Sequence, residues 1–179
     1  GQMVNFQRVG TWRKYHFNGK VSLEVSYCNG QPCGRVTMYH ETGAIKTTGE
    51  VDEKGWPHGL WRGEFPSGKP KFEVTYEHGT NMGWSKHYTE DGLFSEVHFI
   101  DNRWSSYYDE MKLYFPQTGQ LKAIIKRANQ FDVIAEAWDE NGNQTVFNSS
   151  GSIAGVFPMF DQGYVEVNLR NGQAMGEET

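Results

Sequence analysis

Apolar and polar residues alternate one for one through several short stretches of the chain. Leu23, Val25 and Tyr27 interleave with Glu24, Ser26 and Cys28. Phe72, Val74 and Tyr76 do the same with Glu73, Thr75 and Glu77, and Val165, Val167 and Leu169 with Glu166, Asn168 and Arg170. A period of two predicts strands with one apolar and one polar face. Asn29-Gly30 and Asn171-Gly172 follow two of these strands and predict tight hairpin turns, where glycine accepts a positive φ at little cost. The returning strand is less clean. Trp12, Val36 and Trp61 each stand two residues after a glycine, and Tyr15, Tyr39 and Tyr88 four before the next one. Large side chains therefore fall on both of its faces.

The glycines themselves keep step. Gly10, Gly34, Gly59 and Gly83 recur at a constant interval, with only the middle step lengthened by an extra residue. Gly19, Gly43, Gly68 and Gly92 repeat the same spacing, middle step included. Gly30, Gly55 and Gly79 form a third series, each four residues before a member of the first. Such self-similarity marks a repeat architecture, with one β-hairpin per period. The extra residue in the second interval would flip every later side chain if it lay inside a strand. It is placed instead in "VDEKGWPHG", as a bulge or a longer turn. After Gly92 the pattern decays: "IDNRWSSYYDEMK" replaces the expected turn, although "YFPQTG" echoes "EFPSG" and "WDENG" reads as another turn. The expectation is an all-β chain, an antiparallel β-hairpin repeat array forming a meander in one twisted or curled sheet. Residues 1–179 read as one β-repeat domain, regular over 10–100 and divergent over 101–179.

Composition agrees with this picture. The 179 residues include 21 glycines and 15% aromatics but only seven alanines and six leucines, so good helix formers are scarce. The net charge of −5 and scattered basic residues speak against nucleic-acid or anionic-membrane binding, which draws its affinity from basic patches. No stretch reaches the roughly 18 to 20 apolar residues of a membrane span. The chain opens "GQMVNF" without an initiator methionine, consistent with removal of an export signal. Since a leading glycine is also a common scar of tag removal, the compartment stays open, with an exported location, periplasmic or at the cell surface, slightly favoured over a cytoplasmic one.

The strand pattern also constrains the candidate chemistry. The glutamate column of Glu24, Glu73, Glu96 and Glu166 suggests acid/base or cation chemistry, but alternation puts it on the polar face, beside cross-strand lysine, arginine or threonine. Cys28 and Cys33 are a candidate disulfide. A two-residue turn at Asn29-Gly30 would pair Cys28 with Gln31 and is expected to turn the thiols apart; a four-residue "NGQP" loop would set them opposite one another. Two cysteines without a second ligand pair do not make a zinc site, so no metal and no cofactor is expected. The six histidines include no pair within four residues of each other, and His16 and His40 share a repeat column. No catalytic residues stand out, and an enzyme is not expected. "RWSSYYDE" breaks the repeat and gathers Arg103, Trp104, Tyr107 and Tyr108. Aromatic and arginine clusters of this type anchor protein interfaces, so these four are the candidate binding residues.

The positions Tyr15, Gly19, Glu24, Tyr27, Gly30 and Gly34 form a consensus. It recurs as Tyr39 and Gly43, as Gly68, Glu73, Tyr76, Gly79 and Gly83, and as Tyr88 and Gly92. It resembles the variant MORN repeat found in bacterial proteins of the YwqK-like antitoxin type. The resemblance implies a non-enzymatic scaffold that binds another protein, as an antitoxin or immunity-type partner, with no catalytic residues to carry over. An exported carbohydrate- or envelope-binding module using exposed aromatics is the alternative. An unrolled meander would leave its apolar face wet, so the face is expected to be covered by the divergent repeats, by a homodimer or by a partner.

Overall fold

The computed structural model describes residues 1–100, 107–128, 131–156, 164–170 and 173–174. The described residues are all-β, without a helix, and fall into two compact units: Gly1–Glu90 with Phe99–Tyr107, and Asp91–His98 with Tyr108–Thr179. The first unit carries β1 (Gln2–Val4), β2 (Gln7–Tyr15), β3 (Val21–Cys28), β4 (Gln31–Tyr39), β5 (Ile45–Val51), β6 (Pro57–Glu64), β7 (Pro70–Glu77), β8 (Thr80–Asn81) and β9 (Gly83–Thr89). Next comes β10 (Gly92–Ile100). The second unit continues with β11 (Tyr107–Tyr114), β12 (Leu121–Ala128), β13 (Phe131–Trp138), β14 (Gln144–Phe147), β15 (Ser150–Val156), β16 (Tyr164–Arg170) and β17 (Gln173–Ala174). Neighbours along the chain pair antiparallel from β1 to β7 and from β11 to β17, so the fold is an array of hairpins.

Two devices repeat through the array. Returning strands end in a register shift just before their turns, at Lys14/Tyr15, Met38/Tyr39 and Gly63/Glu64 in the first unit. The second unit shows the same shift at Leu113/Tyr114 and Ala137/Trp138, so it keeps the repeat that its sequence obscures. These bulges explain how large residues occupy both faces of that strand: each re-aims the last side chain before the turn. The second device lies where the strand begins. Val25 pairs with Val36 but Tyr27 pairs with Pro32, a shift of two residues that leaves the faces unchanged. Gly34 sits in this shift with φ +69°. Gly34, Gly59 and Gly83 thus mark strand bulges, and Gly10 shares their positive φ, while the other two series mark turns. The extra residue lengthens a connection: Val51 pairs with Pro57 across five residues, whereas Cys28 pairs with Gln31 across two.

The apolar face of the first unit packs in an unusual way. A Cβ on Gly49 would stand 2.2 Å from the Trp61 ring, and one on Gly1 equally close to Trp12. Each indole therefore lies flat on a glycine. Each also meets a tyrosine edge-on, Trp12 with Tyr27 and Trp61 with Tyr76, both at 6.3 Å between ring centres. Between these cassettes the row holds the paired Val25 and Val36 instead. The first unit's structural period is thus a pair of hairpins, the distance in sequence from Trp12 to Trp61. Backbone contacts follow it too: Gly30 N–H donates to the Arg8 carbonyl and Gly79 N–H to that of Pro57.

The second unit holds a dense core. Leu113, Ala123, Ala137, Val146, Gly151 and Leu169 follow one another in register across six strands, β11 to β16. Ile125 and Ile134 pair beside them, and all of these residues except the exposed Gly151 are buried.

Candidate functional site

Alternation along each strand of the first unit sets one residue per strand into a polar row. Register carries it from Arg13 to Glu24, Thr37, Thr48, Arg62, Glu73 and Lys86. Arg13 Nε donates to Glu24 at 2.6 Å, and Arg62 Nε to Glu73 at 3.1 Å, the same pair one double hairpin later. The hydrogen bond to Glu24, then its charge, raises the pKa of Arg13. Thr37 and Thr48 hydroxyls meet at 3.3 Å between them. The glutamate column is therefore structural in these two copies: its carboxylates are tied to arginine. In the second unit Glu96 accepts a 2.5 Å hydrogen bond from the Tyr114 hydroxyl. Burial, followed by that bond, raises the pKa of the phenol.

The polar face is not flat. Glu24, Arg35, Thr37, Tyr39, Thr48, Glu50, His58, Leu60 and Arg62 line an open groove of about 570 Å³. A second depression of about 610 Å³ continues past Glu24 and Tyr39 to Arg13, Lys20 and Thr42. Two apolar side chains break the polar surface. Leu60, two residues before Arg62, is 44% exposed, and Trp84, two residues before Lys86, is 42% exposed. Period-two geometry puts both on the face of the arginine–glutamate row. Tryptophan and arginine are the residues that most often anchor protein interfaces, and here Trp84 and Arg62 share a solvated face with the exposed Leu60. This site escaped the reading of the sequence, because Leu60 and Trp84 fall outside the clean alternation of the outgoing strands. Their distance of two residues from the row's arginine and lysine is the signal that would have found them.

The other expected residues are placed as follows. Arg103 and Trp104 lie outside the described residues. Tyr107 and Tyr108 open β11 and are half-buried. The Tyr108 ring lies beneath Arg127, whose guanidinium is 5.3 Å from the ring centre. Arg127 also reaches Asp132 at 3.5 Å. Burial, with the hydrogen bond to Asp132 next, pushes the Tyr108 phenol up to about 12. Tyr108 is therefore built into its own unit.

Cys28 and Cys33 are joined in a disulfide with Cα atoms 5.7 Å apart, inside the usual range. The turn is the two-residue form, for which the thiols were expected to face apart. That expectation overlooked a simple relation. Cross-strand partners share a face, so Cys33, two residues after Gln31, lies on the side of Cys28 and diagonal to it.

The histidines divide into two groups. His16 and His40 ring nitrogens bond the carbonyls of Tyr39 and Glu64, each stitching its turn to the next hairpin. His78 Nδ1 instead meets Asp52 at 2.7 Å. That bond, then the Trp56 backbone N–H, holds the Asp52 carboxyl down at about 2. The His58 ring lies beside that of His78, centres 5.4 Å apart and planes tilted by 35°. Among the described residues no three histidine, cysteine or acidic side chains are arranged to hold a metal ion.

Fold and site together define a β-hairpin repeat scaffold with an open, mixed-charge groove. Comparison with known families agrees at the level of the repeat. The MORN repeat variant matches residues 8–29 and 57–78, two segments that coincide with the two tryptophan cassettes. Repeats of this kind are generally non-catalytic scaffolds that bind proteins or membranes. No curated protein sequence matches the chain. Among the described residues no helix is long and apolar enough to cross a membrane, which says nothing about spans made of strands.

Proposed function

We propose that this chain is a non-enzymatic β-repeat scaffold that binds another protein across the polar face of its first unit. The observation that carries the reading is the exposure of Leu60 and Trp84 on that face, beside Arg62, Lys86 and the groove. Half-exposed apolar anchors ringed by cations lose little on docking and gain the burial of both side chains. An antitoxin or immunity-type partner is the finer form of this reading, suggested by the repeat class. The Arg103, Trp104, Tyr107 and Tyr108 cluster is retained as a second contact region. The treatment of residues 1–179 as one β-repeat domain belongs to the same proposal, supported by the shared bulges of both units.

The test is capture of partners from the native cell extract by the full chain and by a Leu60→Ala/Trp84→Ala variant. A stoichiometric protein captured by the parent and weakened at least tenfold by the variant supports the reading. Equal capture by both moves the site elsewhere. Retention on polysaccharide with no protein partner would replace this reading by the carbohydrate- or envelope-binding alternative.

A further inference from the structure

The geometry points to a two-histidine metal site, formed by His58 and His78 and oriented by Asp52, that takes one borderline divalent cation such as Zn(II), Ni(II) or Cu(II). It is independent of the protein-binding proposal.

The site comes from the way two connections meet. His58 is the second residue of β6, and His78 lies in the turn that follows β7, so both stand at the open end of the β6–β7 hairpin. The Gly79 N–H donates to the Pro57 carbonyl and fixes the turn against β6 at that point. Asp52 belongs to the neighbouring five-residue connection. Its Oδ1 accepts the backbone N–H groups of Lys54 and Trp56, both at 2.9 Å. The other oxygen, Oδ2, is left for His78 Nδ1.

This arrangement has the form of a prepared ligand. A carboxylate that accepts from Nδ1–H sets the neutral ring in the tautomer whose Nε2 lone pair points away, and metal-binding histidines are commonly oriented this way. The Asp52 side chain is only 11% exposed while that of His78 is 68% exposed, so the orienting group is sheltered and the donor is open. The ring separation also fits. With nitrogen about 2.1 Å from an ion, each imidazole centre lies roughly 3.2 Å from it. If both Nε2 atoms turn toward one ion, centres 5.4 Å apart subtend an angle close to tetrahedral there. Imidazole donors suit zinc, nickel and copper, whereas calcium and magnesium require oxygen cages. Two protein donors leave the remaining positions to water or to a donor from outside. His58 also lines the groove.

Calorimetric titration of tag-free full-length protein with Zn(II) at neutral pH tests the site. One saturable ion per chain is expected. His78→Gln and His58→Gln should each weaken it at least tenfold, and Asp52→Asn about tenfold while preserving the stoichiometry. His98→Gln, far along the chain and bonded to Asp109, should leave it unchanged. Quenching of Trp56 fluorescence by Cu(II) gives a second readout, since its ring packs against Gly79 in the same turn. Absence of saturable binding overturns the proposal. So does binding that survives intact in the His58→Gln/His78→Gln double variant, provided circular dichroism shows both proteins folded.

Discussion

A row of residues crosses the strands of each unit in unbroken register, and the two rows could hardly differ more. In the second unit it reads Leu113, Ala123, Ala137, Val146, Gly151 and Leu169, and the side chains of Ala123 and Val146 are wholly buried. In the first it reads Arg13, Glu24, Thr37, Thr48, Arg62, Glu73 and Lys86. Among the described residues the opposite face of the first unit offers Val25, Val36 and Val74 as buried apolar residues, at 8%, 7% and 5% exposure. One unit is stabilised by an aliphatic core of the ordinary kind. The other depends on indoles laid on glycines, arginine–glutamate pairs and turn-to-turn hydrogen bonds. The same hairpin repeat thus supports two different solutions. The one with the thinner core carries the mixed-charge groove.

The sharpest way to break the comparison is Gly151→Ala. Its φ is +144°, and a Cβ there would stand 2.1 Å from the Thr145 carbonyl oxygen, which is backbone and cannot turn aside. Loss of cooperative folding in the second unit is expected, read as loss of slow amide exchange on β12 to β14. Next in size, Ile134→Ala should cost about 2–5 kcal/mol, as a buried aliphatic truncation does. Val36→Ala in the first unit should cost less than about 2 kcal/mol, because its surroundings are thinner and fewer atoms are removed. Comparable losses in urea melts would erase the distinction between the cores. Gly49→Ala should destabilise by about 1–3 kcal/mol through overpacking, since the Trp61 ring occupies the space. A shift in tryptophan emission should accompany it.

The smallest effect is electrostatic. Asp52 is held at about 2 in the folded chain, below the ordinary carboxylate value near 4. A depressed carboxyl contributes stability that is complete above the unfolded value and is lost as pH falls through the folded one. The melting temperature of wild type should therefore exceed that of Asp52→Asn at pH 5, with the gap closing toward pH 2. A gap that persists unchanged at pH 2 would show that Asp52 acts through shape rather than charge.

Much of the fold was legible in the chain because hairpins are local. Alternation and glycine spacing are read over a short stretch of sequence, and they placed β3, β4 and β7 and their turns. The paired period was harder to see. It depends on which side chain lies on Gly49 or opposite Val36, and that is a cross-strand relation rather than a sequential one. The candidate site was hidden for the same reason. Leu60 and Trp84 stand a full hairpin apart, and although each is two residues from a cation of the row, nothing in the intervening sequence says that the two share one face. His58 and His78 likewise meet only once the β6–β7 hairpin closes.

The alternation of Trp-on-Gly with Val-on-Val has a consequence for how such an array can change length. Cutting out a single hairpin would set Trp61 against Val25 instead of Gly49, so the indole would meet a side chain where it now lies on bare backbone. Removing or duplicating a pair of hairpins would return every tryptophan to a glycine. The array therefore has a grammar in which the hairpin is the letter and the pair is the word. Lineages or designs that lengthen it by whole words keep their packing, and those that add a letter must rewrite the residue beneath each ring.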